Sequence, residues 1–132
     1  MSNENEGALS KNDPKLLKLV SGGTFAFKAF EEDILALSSI VAGTSYQNLT
    51  EIEKKIILND SKLELKREPK NEFDQFAVMV SFDGHKLGYI PKSKNQTVAR
   101  LMDAGKQFYA KVKAKEWEGK WLRLDMEVFL KD

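Results

Sequence analysis

The sequence contains no cysteine, a single histidine and only three prolines in 132 residues. Without cysteine the chain can form no disulfide, and nothing in its composition argues for secretion. No structural zinc site is expected, because such sites are built from several cysteine and histidine ligands. Long apolar runs are also missing: ILALSSIVAG, at residues 34–43, is too short and too polar to cross a bilayer. We therefore expect no membrane partner.

The N-terminal segment has little apolar character. It begins MSNENEG, without the basic and hydrophobic parts of a secretory signal, so a cytoplasmic location is expected. Residues 1–12 are typical of a disordered tail, and DPKLLKLV at residues 13–20 predicts a short helix with Pro14 in its first turn. We expect residues 1–33 to form this tail and helical extension, and residues 34–132 to form the folded domain.

Strand patterns dominate the rest of the chain. Alternating or β-rich segments occur at residues 34–42, 62–66, 76–82, 85–90, 107–115 and 121–130. The dipeptide DG at residues 83 and 84 predicts a hairpin turn, and EG at residues 118 and 119 predicts another. Six short strands in one small domain favour a mostly β fold: a small, curled, six-stranded β-barrel with one or two short helices.

Three local patterns carry more detailed predictions. LTEIEKKIIL at residues 49–58 has helical spacing, with Thr50 and Glu53 as a capping box, and NQTVARLMDAG at residues 95–105 predicts a second helix. The alternation in QFYAKVKAK places Ala114 inside the barrel and Lys115 in solvent. The lysines at positions 111, 113 and 115 would then form the solvent-exposed face of an edge strand.

Signatures of catalysis are absent from the sequence. It has no GxSxG motif, no cysteine nucleophile, no histidine pair and no spaced set of carboxylates for two-metal chemistry. The net charge is +1, with −3 in residues 1–60 (6 basic, 9 acidic) and +4 in residues 61–132 (15 basic, 11 acidic). We expect a binding module rather than an enzyme, with no cofactor.

The segment KREPKNEFDQFAVMV, residues 66–80, places an aromatic ring and a carboxylate side by side in a polar loop. Phe73 could stack on a nucleic-acid base, and Asp74 could accept a hydrogen bond from a free hydroxyl group. Alternatively, Phe73 plugs the barrel rim and Asp74 caps the loop. Arg67 could contact a phosphate or form an ion pair with Glu68 or Asp74.

Three motifs in order make the chain resemble the HIRAN domain family. They are IVAGTSY at residues 40–46, LELKREPKNEFDQFAVMV at residues 63–80 and KLGYIPK at residues 86–92. The resemblance extends over roughly residues 34–130. It implies a modified OB-like β-barrel that binds DNA; in the best-understood members the domain is fused to fork-remodelling motors and captures the 3′ end of single-stranded DNA.

The resemblance also implies roles for particular residues. Phe73 would stack on the terminal base, and Asp74 would contact the 3′ hydroxyl. The turn that contains Thr44, Ser45 and Tyr46 would form the other side of the site, with Tyr46 as its ring. Further candidates for DNA contact are Arg67, Tyr89 and Lys92.

The chain departs from the family pattern at three positions. Phe73 replaces a tyrosine and keeps its π-face, whereas Thr44 and Ser45 stand where fork-remodelling members have an arginine and an aromatic residue. The motif GxxxxGKS or GxxxxGKT of a nucleotide-driven motor is absent, so the expected partners are single-stranded DNA and a DNA-processing protein in trans, as in DNA repair. The alternative is a protein-interaction module whose barrel rim binds a peptide.

Overall fold

The computed structural model describes residues 32–131, and residues 34–131 form one compact unit. Its elements are β1 (Ile34–Ile40), β2 (Lys62–Arg67), β3 (Val78–Phe82), β4 (His85–Tyr89), α1 (Gln96–Asp103), β5 (Phe108–Glu118) and β6 (Trp121–Leu130). Two 3-10 turns, Thr44–Tyr46 and Ile52–Lys55, lie between β1 and β2. The predicted mostly β class with six strands is confirmed. The helix predicted at residues 13–20 lies outside the described residues.

The six strands form one antiparallel sheet in the order β1-β6-β5-β2-β3-β4. The sheet curls into a half-barrel, and its first and last strands meet at Ala42, just beyond β1. The Ala42 amide donates to the Tyr89 carbonyl at 2.8 Å, and the Tyr89 amide donates back to the Ala42 carbonyl at 2.9 Å. This two-bond bridge places the turn after β1 beside the end of β4.

Alternating residues of the strands fill the interior of the half-barrel. The alternation predicted for residues 121–130 is confirmed: four of its five inward residues are buried, and the fifth, Leu130, packs against the core from a partly buried position. The largest fully buried side chains are Val41, Ile56, Leu63, Val78, Val80, Leu87, Ile90, Val112, Leu122, Leu124, Met126 and Val128. Such burial of apolar side chains is the main stabilising term of a domain this size.

Two local predictions are confirmed where the sequence dictates backbone geometry. The turn between β3 and β4 has positive φ at both of its central residues, 51° at Asp83 and 79° at Gly84, as a type I′ hairpin turn requires. The helix predicted at residues 95–105 is α1, and the chain leaves it through Gly105 with φ of 97°. Such a left-handed glycine commonly ends a helix.

The helix predicted at residues 49–58 is wrong, because only the short 3-10 turn Ile52–Lys55 forms there. Thr50 does not cap it: Glu51 precedes the turn, and no side chain caps its first amide groups. The turn ends where Ile56 becomes extended and buries its side chain in the core. Leu49, Ile52 and Ile56 are all buried, so the apolar spacing predicted which side chains enter the core but not the backbone conformation.

The prediction that Ala114 points inward is also wrong, because β5 contains a β-bulge. The register with β6 shifts between Val112 and Ala114, so Lys113 is the extra residue and the alternation inverts beyond it. Ala114 is exposed, whereas the Lys115 ammonium group donates to the carbonyls of Glu53 (2.7 Å) and Ile56 (2.8 Å). Nor is β5 an edge strand, since it lies between β6 and β2.

Lys115 also forms an ion pair with the Glu53 carboxylate at 2.9 Å, and the Trp117 indole donates to the same group at 3.2 Å. These hydrogen bonds, from Lys115 first and Trp117 second, lower the pKa of Glu53 below its usual 4.5. A lowered carboxyl pKa stabilises the fold above the unfolded value, and this contribution is lost as the pH falls through the folded value.

We therefore expect Glu53→Gln to flatten the acid dependence of stability. Wild type should lose free energy of unfolding between pH 5 and the acid limit more steeply than the variant, and the two slopes should agree above pH 6. Urea unfolding at several pH values measures this. Glu51→Gln is the matched control, because Glu51 is exposed and its ion pair within residues 32–131 is with Lys54 on the surface. Equal slopes for wild type and Glu53→Gln would contradict the assignment.

Among residues 32–131, no helix is long and apolar enough to span a membrane. The same residues contain no group of three or more His, Cys, Asp or Glu side chains arranged to hold a metal ion.

Candidate nucleic-acid interface

The turn after β1 presents an exposed aromatic ring. Gly43 adopts a left-handed conformation with φ of 81° and begins the 3-10 turn Thr44–Tyr46. The Thr44 side chain is buried, and its hydroxyl donates to the Leu122 carbonyl of β6 at 2.7 Å. Ser45 is exposed, and Tyr46 is 87% exposed. Thr44 therefore fastens the turn to the barrel, while Tyr46 projects from it.

The loop between β2 and β3 presents the second ring. Asn71 Oδ1 accepts the Phe73 amide at 2.8 Å and the Asp74 amide at 3.2 Å, an Asx-type turn that shapes the loop tip. The Phe73 side chain is 85% exposed. The alternative prediction, that Phe73 plugs the barrel rim, is therefore wrong.

Asp74 caps the loop and also connects it to α1. Its Oδ1 accepts the Phe76 amide at 2.9 Å, and its Oδ2 accepts the Asn95 side-chain amide at 2.6 Å. Asn95 is buried and directly precedes α1, so it fixes the carboxylate rather than capping the helix. Asp74 itself is half-buried. An ionised carboxylate offers about four acceptor positions, and these two bonds leave room for another donor.

Arg67, at the end of β2, holds the far side of the same loop. Its guanidinium donates to the carbonyls of Ala77 at 2.6 Å and Gln75 at 3.0 Å, and pairs with Asp103 of α1 at 2.9 Å. The predicted pairing with Glu68 or Asp74 is wrong. Asp103 lies 36 residues along the chain, and it reaches Arg67 because α1 packs beside β2. The Arg67 side chain is only 12% exposed.

Tyr89, at the end of β4, is half-buried and contacts the loop through its hydroxyl group, which donates to Glu68 Oε1 at 2.8 Å. The Lys86 ammonium group lies 4.6 Å from the centre of the Tyr89 ring, a cation–π contact. Lys92 is exposed and donates to the Phe73 carbonyl at 3.2 Å. Lys92 therefore places a positive charge at the backbone of the exposed residue Phe73.

These contacts gather the predicted residues, apart from Arg67 at the end of β2, at the place where the sheet meets itself. The turn that carries Tyr46 is joined to Tyr89 by the Ala42 bridge, and Tyr89 is joined to the Phe73 loop through Glu68. We call this region the rim; it comprises residues 43–46, 68–77 and 89–95. Sequence reasoning missed Asn71 and Asn95 there. For Asn71 a signal existed, since an asparagine in a polar loop often accepts the backbone amide two residues further on, in an Asx turn.

The compact unit of residues 34–131 is also the part of the chain that matches a known protein family. The family model of the HIRAN domain matches residues 34–131. No curated protein matches the chain. The chain is similar to the crystal structure of a protein from Lactobacillus plantarum, with 26% identity, a TM-score of 0.67, and coverage of 75% of this chain and 95% of that one.

Two structures of the HLTF HIRAN domain have the same fold. The crystal structure of the human HLTF domain has 23% identity and a TM-score of 0.54, and covers 76% of this chain and 81% of that one. The NMR structure of the HLTF domain in its DNA-bound conformation has 22% identity and a TM-score of 0.51, with the same coverage. Because the family model matches most of the sequence, this chain belongs to the HIRAN domain family.

Proposed function

We propose that this chain is a non-catalytic DNA-binding module that binds single-stranded DNA at the rim. The observation that carries the proposal is the exposure of two aromatic side chains there, 87% for Tyr46 and 85% for Phe73. Exposed rings of this size offer faces on which unstacked bases can lie, and each such contact stabilises a complex by about 1–3 kcal/mol. The DNA-bound HLTF domain supports this proposal.

The few positive charges at the rim suit a complex in which only a few DNA phosphates are contacted. Lys92 lies beside Phe73 and is exposed, so it can reach a phosphate without losing its bond to the backbone. Ser45 adds an exposed hydroxyl next to Tyr46. With few cations at the rim, affinity should fall gently with salt, at a slope of about 0.7 per neutralised phosphate. A peptide held in an apolar groove would show almost no such slope.

Other predicted contact residues have a supporting role in this proposal. The Thr44 hydroxyl is committed to β6, and the Arg67 guanidinium is committed to the loop backbone and to Asp103. Both stabilise the segments that carry the rings. We place the module in residues 34–132, with residues 1–33 as an extension, acting in the cytoplasm with a DNA-processing protein in trans.

We further propose that Asp74 recognises a 3′-terminal hydroxyl group. The carboxylate is held by Phe76 and Asn95 and keeps acceptor capacity. A carboxylate is repelled by phosphodiesters, so on a single strand it can accept only from base N–H groups and from a terminal hydroxyl group. Of these donors, the 3′ hydroxyl is the one that a 3′ phosphate removes. A hydrogen bond to a charged acceptor contributes about 1.5–3 kcal/mol.

The expected result is that a single strand with a 3′ hydroxyl binds at least about tenfold more tightly than one with a 3′ phosphate. A 5′ phosphate should change little. Asp74→Asn keeps an oxygen for the Phe76 amide but removes the charge, so it should reduce the discrimination to a few-fold. Fluorescence anisotropy with labelled oligonucleotides measures the effect of the 3′ phosphate, the effect of the 5′ phosphate and the discrimination that remains in Asp74→Asn. Equal binding of hydroxyl and phosphate ends by wild type would leave Asp74 with its loop-capping role alone.

A further inference from the structure

One carboxylate oxygen connects the barrel wall to the ring-bearing loop. Glu68 Oε1 accepts the Tyr89 hydroxyl of β4 at 2.8 Å and the Asn71 side-chain amide at 3.0 Å. Asn71 then uses its own Oδ1 to accept the amides of Phe73 and Asp74. Four hydrogen bonds thus lead from the rigid end of β4 to the two residues proposed to meet the DNA terminus.

The donor and the acceptor of each hydrogen bond determine how these four bonds are arranged. Asn71 can present Oδ1 to the loop tip only if its Nδ2 faces the other way, and Glu68 is the acceptor that Nδ2 finds there. Because the Tyr89 hydroxyl donates to Glu68, its proton is already engaged within the protein. Lys86, beside the Tyr89 ring, and Lys66 of β2 are the positive groups that favour the ionised carboxylate.

We propose that Glu68 is the positioning residue of this site: held by Tyr89, it orients Asn71 and thereby fixes the Phe73–Asp74 tip for DNA binding. Tyr89 then contributes to affinity through Glu68 and not by contacting DNA through its hydroxyl. This inference rests on the proposed function for its binding consequences, whereas the order of the tip is a property of the protein alone. Hydrogen bonds from Asn71 first and Tyr89 second lower the pKa of Glu68, consistent with an ionised acceptor.

The variants that test the proposal differ in which hydrogen bond they remove. Tyr89→Phe removes one hydroxyl and keeps the ring. Glu68→Gln keeps a carbonyl oxygen that can accept both donors, and Glu68→Ala removes it. Glu72→Ala is the matched control, because Glu72 is an exposed glutamate of the same loop with the same charge.

Amide hydrogen exchange of Phe73 and Asp74, followed by NMR without DNA, reports the order of the tip directly. We expect exchange to accelerate about tenfold in Glu68→Ala and severalfold in Tyr89→Phe, and to stay within about threefold of wild type in Glu68→Gln and Glu72→Ala. Core amides, such as that of Val80, should exchange as in wild type throughout. Unchanged exchange in both Glu68→Ala and Tyr89→Phe would overturn the proposal.

The binding measurement uses a single-stranded oligonucleotide with a 3′ hydroxyl. Glu68→Ala should weaken binding about tenfold in the wild-type background and hardly at all in the Phe73→Ala background, because the effect acts through the tip. Equal losses in both backgrounds, or a loss in Glu68→Gln as large as in Glu68→Ala, would assign a direct or purely electrostatic role to Glu68. If wild type binds no DNA, the proposed function fails, while the exchange result still decides the positioning role.

Discussion

Replacing Gly88 by alanine should open the closure of the barrel and cost about 3 kcal/mol or more in free energy of unfolding. A Cβ atom at Gly88 would overlap the Ala42 carbonyl oxygen and press on the Val41 side chain at 3.0 Å. The Ala42 oxygen cannot move aside, because it accepts the Tyr89 amide in the bridge that joins the two ends of the sheet. The cost combines overpacking, about 1–3 kcal/mol, with the loss of two backbone hydrogen bonds at about 1 kcal/mol each.

Thermal unfolding measures this effect. For a domain near 100 residues each kcal/mol lowers Tm by roughly 4–8 °C, so Gly88→Ala should melt at least about 12 °C below wild type. Ser45→Ala is the control: it is an exposed substitution in the neighbouring turn and should stay within about 0.5 kcal/mol. A Tm for Gly88→Ala within a few degrees of wild type would show that the bridge does not hold the sheet closed.

The second large effect is expected on binding and not on stability. Phe73→Ala should weaken binding of single-stranded DNA by about tenfold or more, since a stacked ring contributes about 1–3 kcal/mol. Because the side chain is 85% exposed, its removal should change the free energy of unfolding by no more than about 0.5 kcal/mol. Anisotropy titration and a thermal melt of the same sample measure the two effects.

An exposed aliphatic residue elsewhere supplies the control for Phe73→Ala. Ile57 is 59% exposed and lies in the segment that is fixed to β5 by the Asn59 amide. Ile57→Ala should leave DNA affinity unchanged, which separates base stacking from a general loss of apolar surface. A Phe73→Ala variant that melts several degrees lower and binds DNA as wild type does would contradict the proposed role of the ring.

The sequence predicted the strands well where one face is buried. In β6 the period-two pattern predicts which side chains enter the core. The structure agrees because alternate residues of a strand point to opposite faces, and one face of β6 is buried. The same pattern failed in β5 after Val112. A bulge depends on how two strands pair, and alternation within one strand carries no information about an extra residue opposite β6.

Motif resemblance named the candidate site residues, but the sequence could not show how the fold arranges them. Motif resemblance brought Phe73, Asp74 and Tyr46 together, whereas the exposure of the rings follows only from the folded rim. The partner of Arg67 was not predictable, since Asp103 is distant in sequence and is placed by the packing of α1. Likewise, the sequence placed Asn95 at the start of a predicted helix. Its hydrogen bond to Asp74 forms because the loop folds against that helix, which the sequence does not show.

The most direct test of the central claim compares the same sequence as a single strand with a free 3′ hydroxyl and as a blunt duplex, by titration at one fixed salt concentration. Bases inside a duplex are already stacked on both faces, and only the terminal pair exposes a face. Pairing must therefore be disrupted before the duplex can offer bases to both Tyr46 and Phe73. The account predicts at least about tenfold tighter binding of the single strand. Equal affinity for both forms would contradict it.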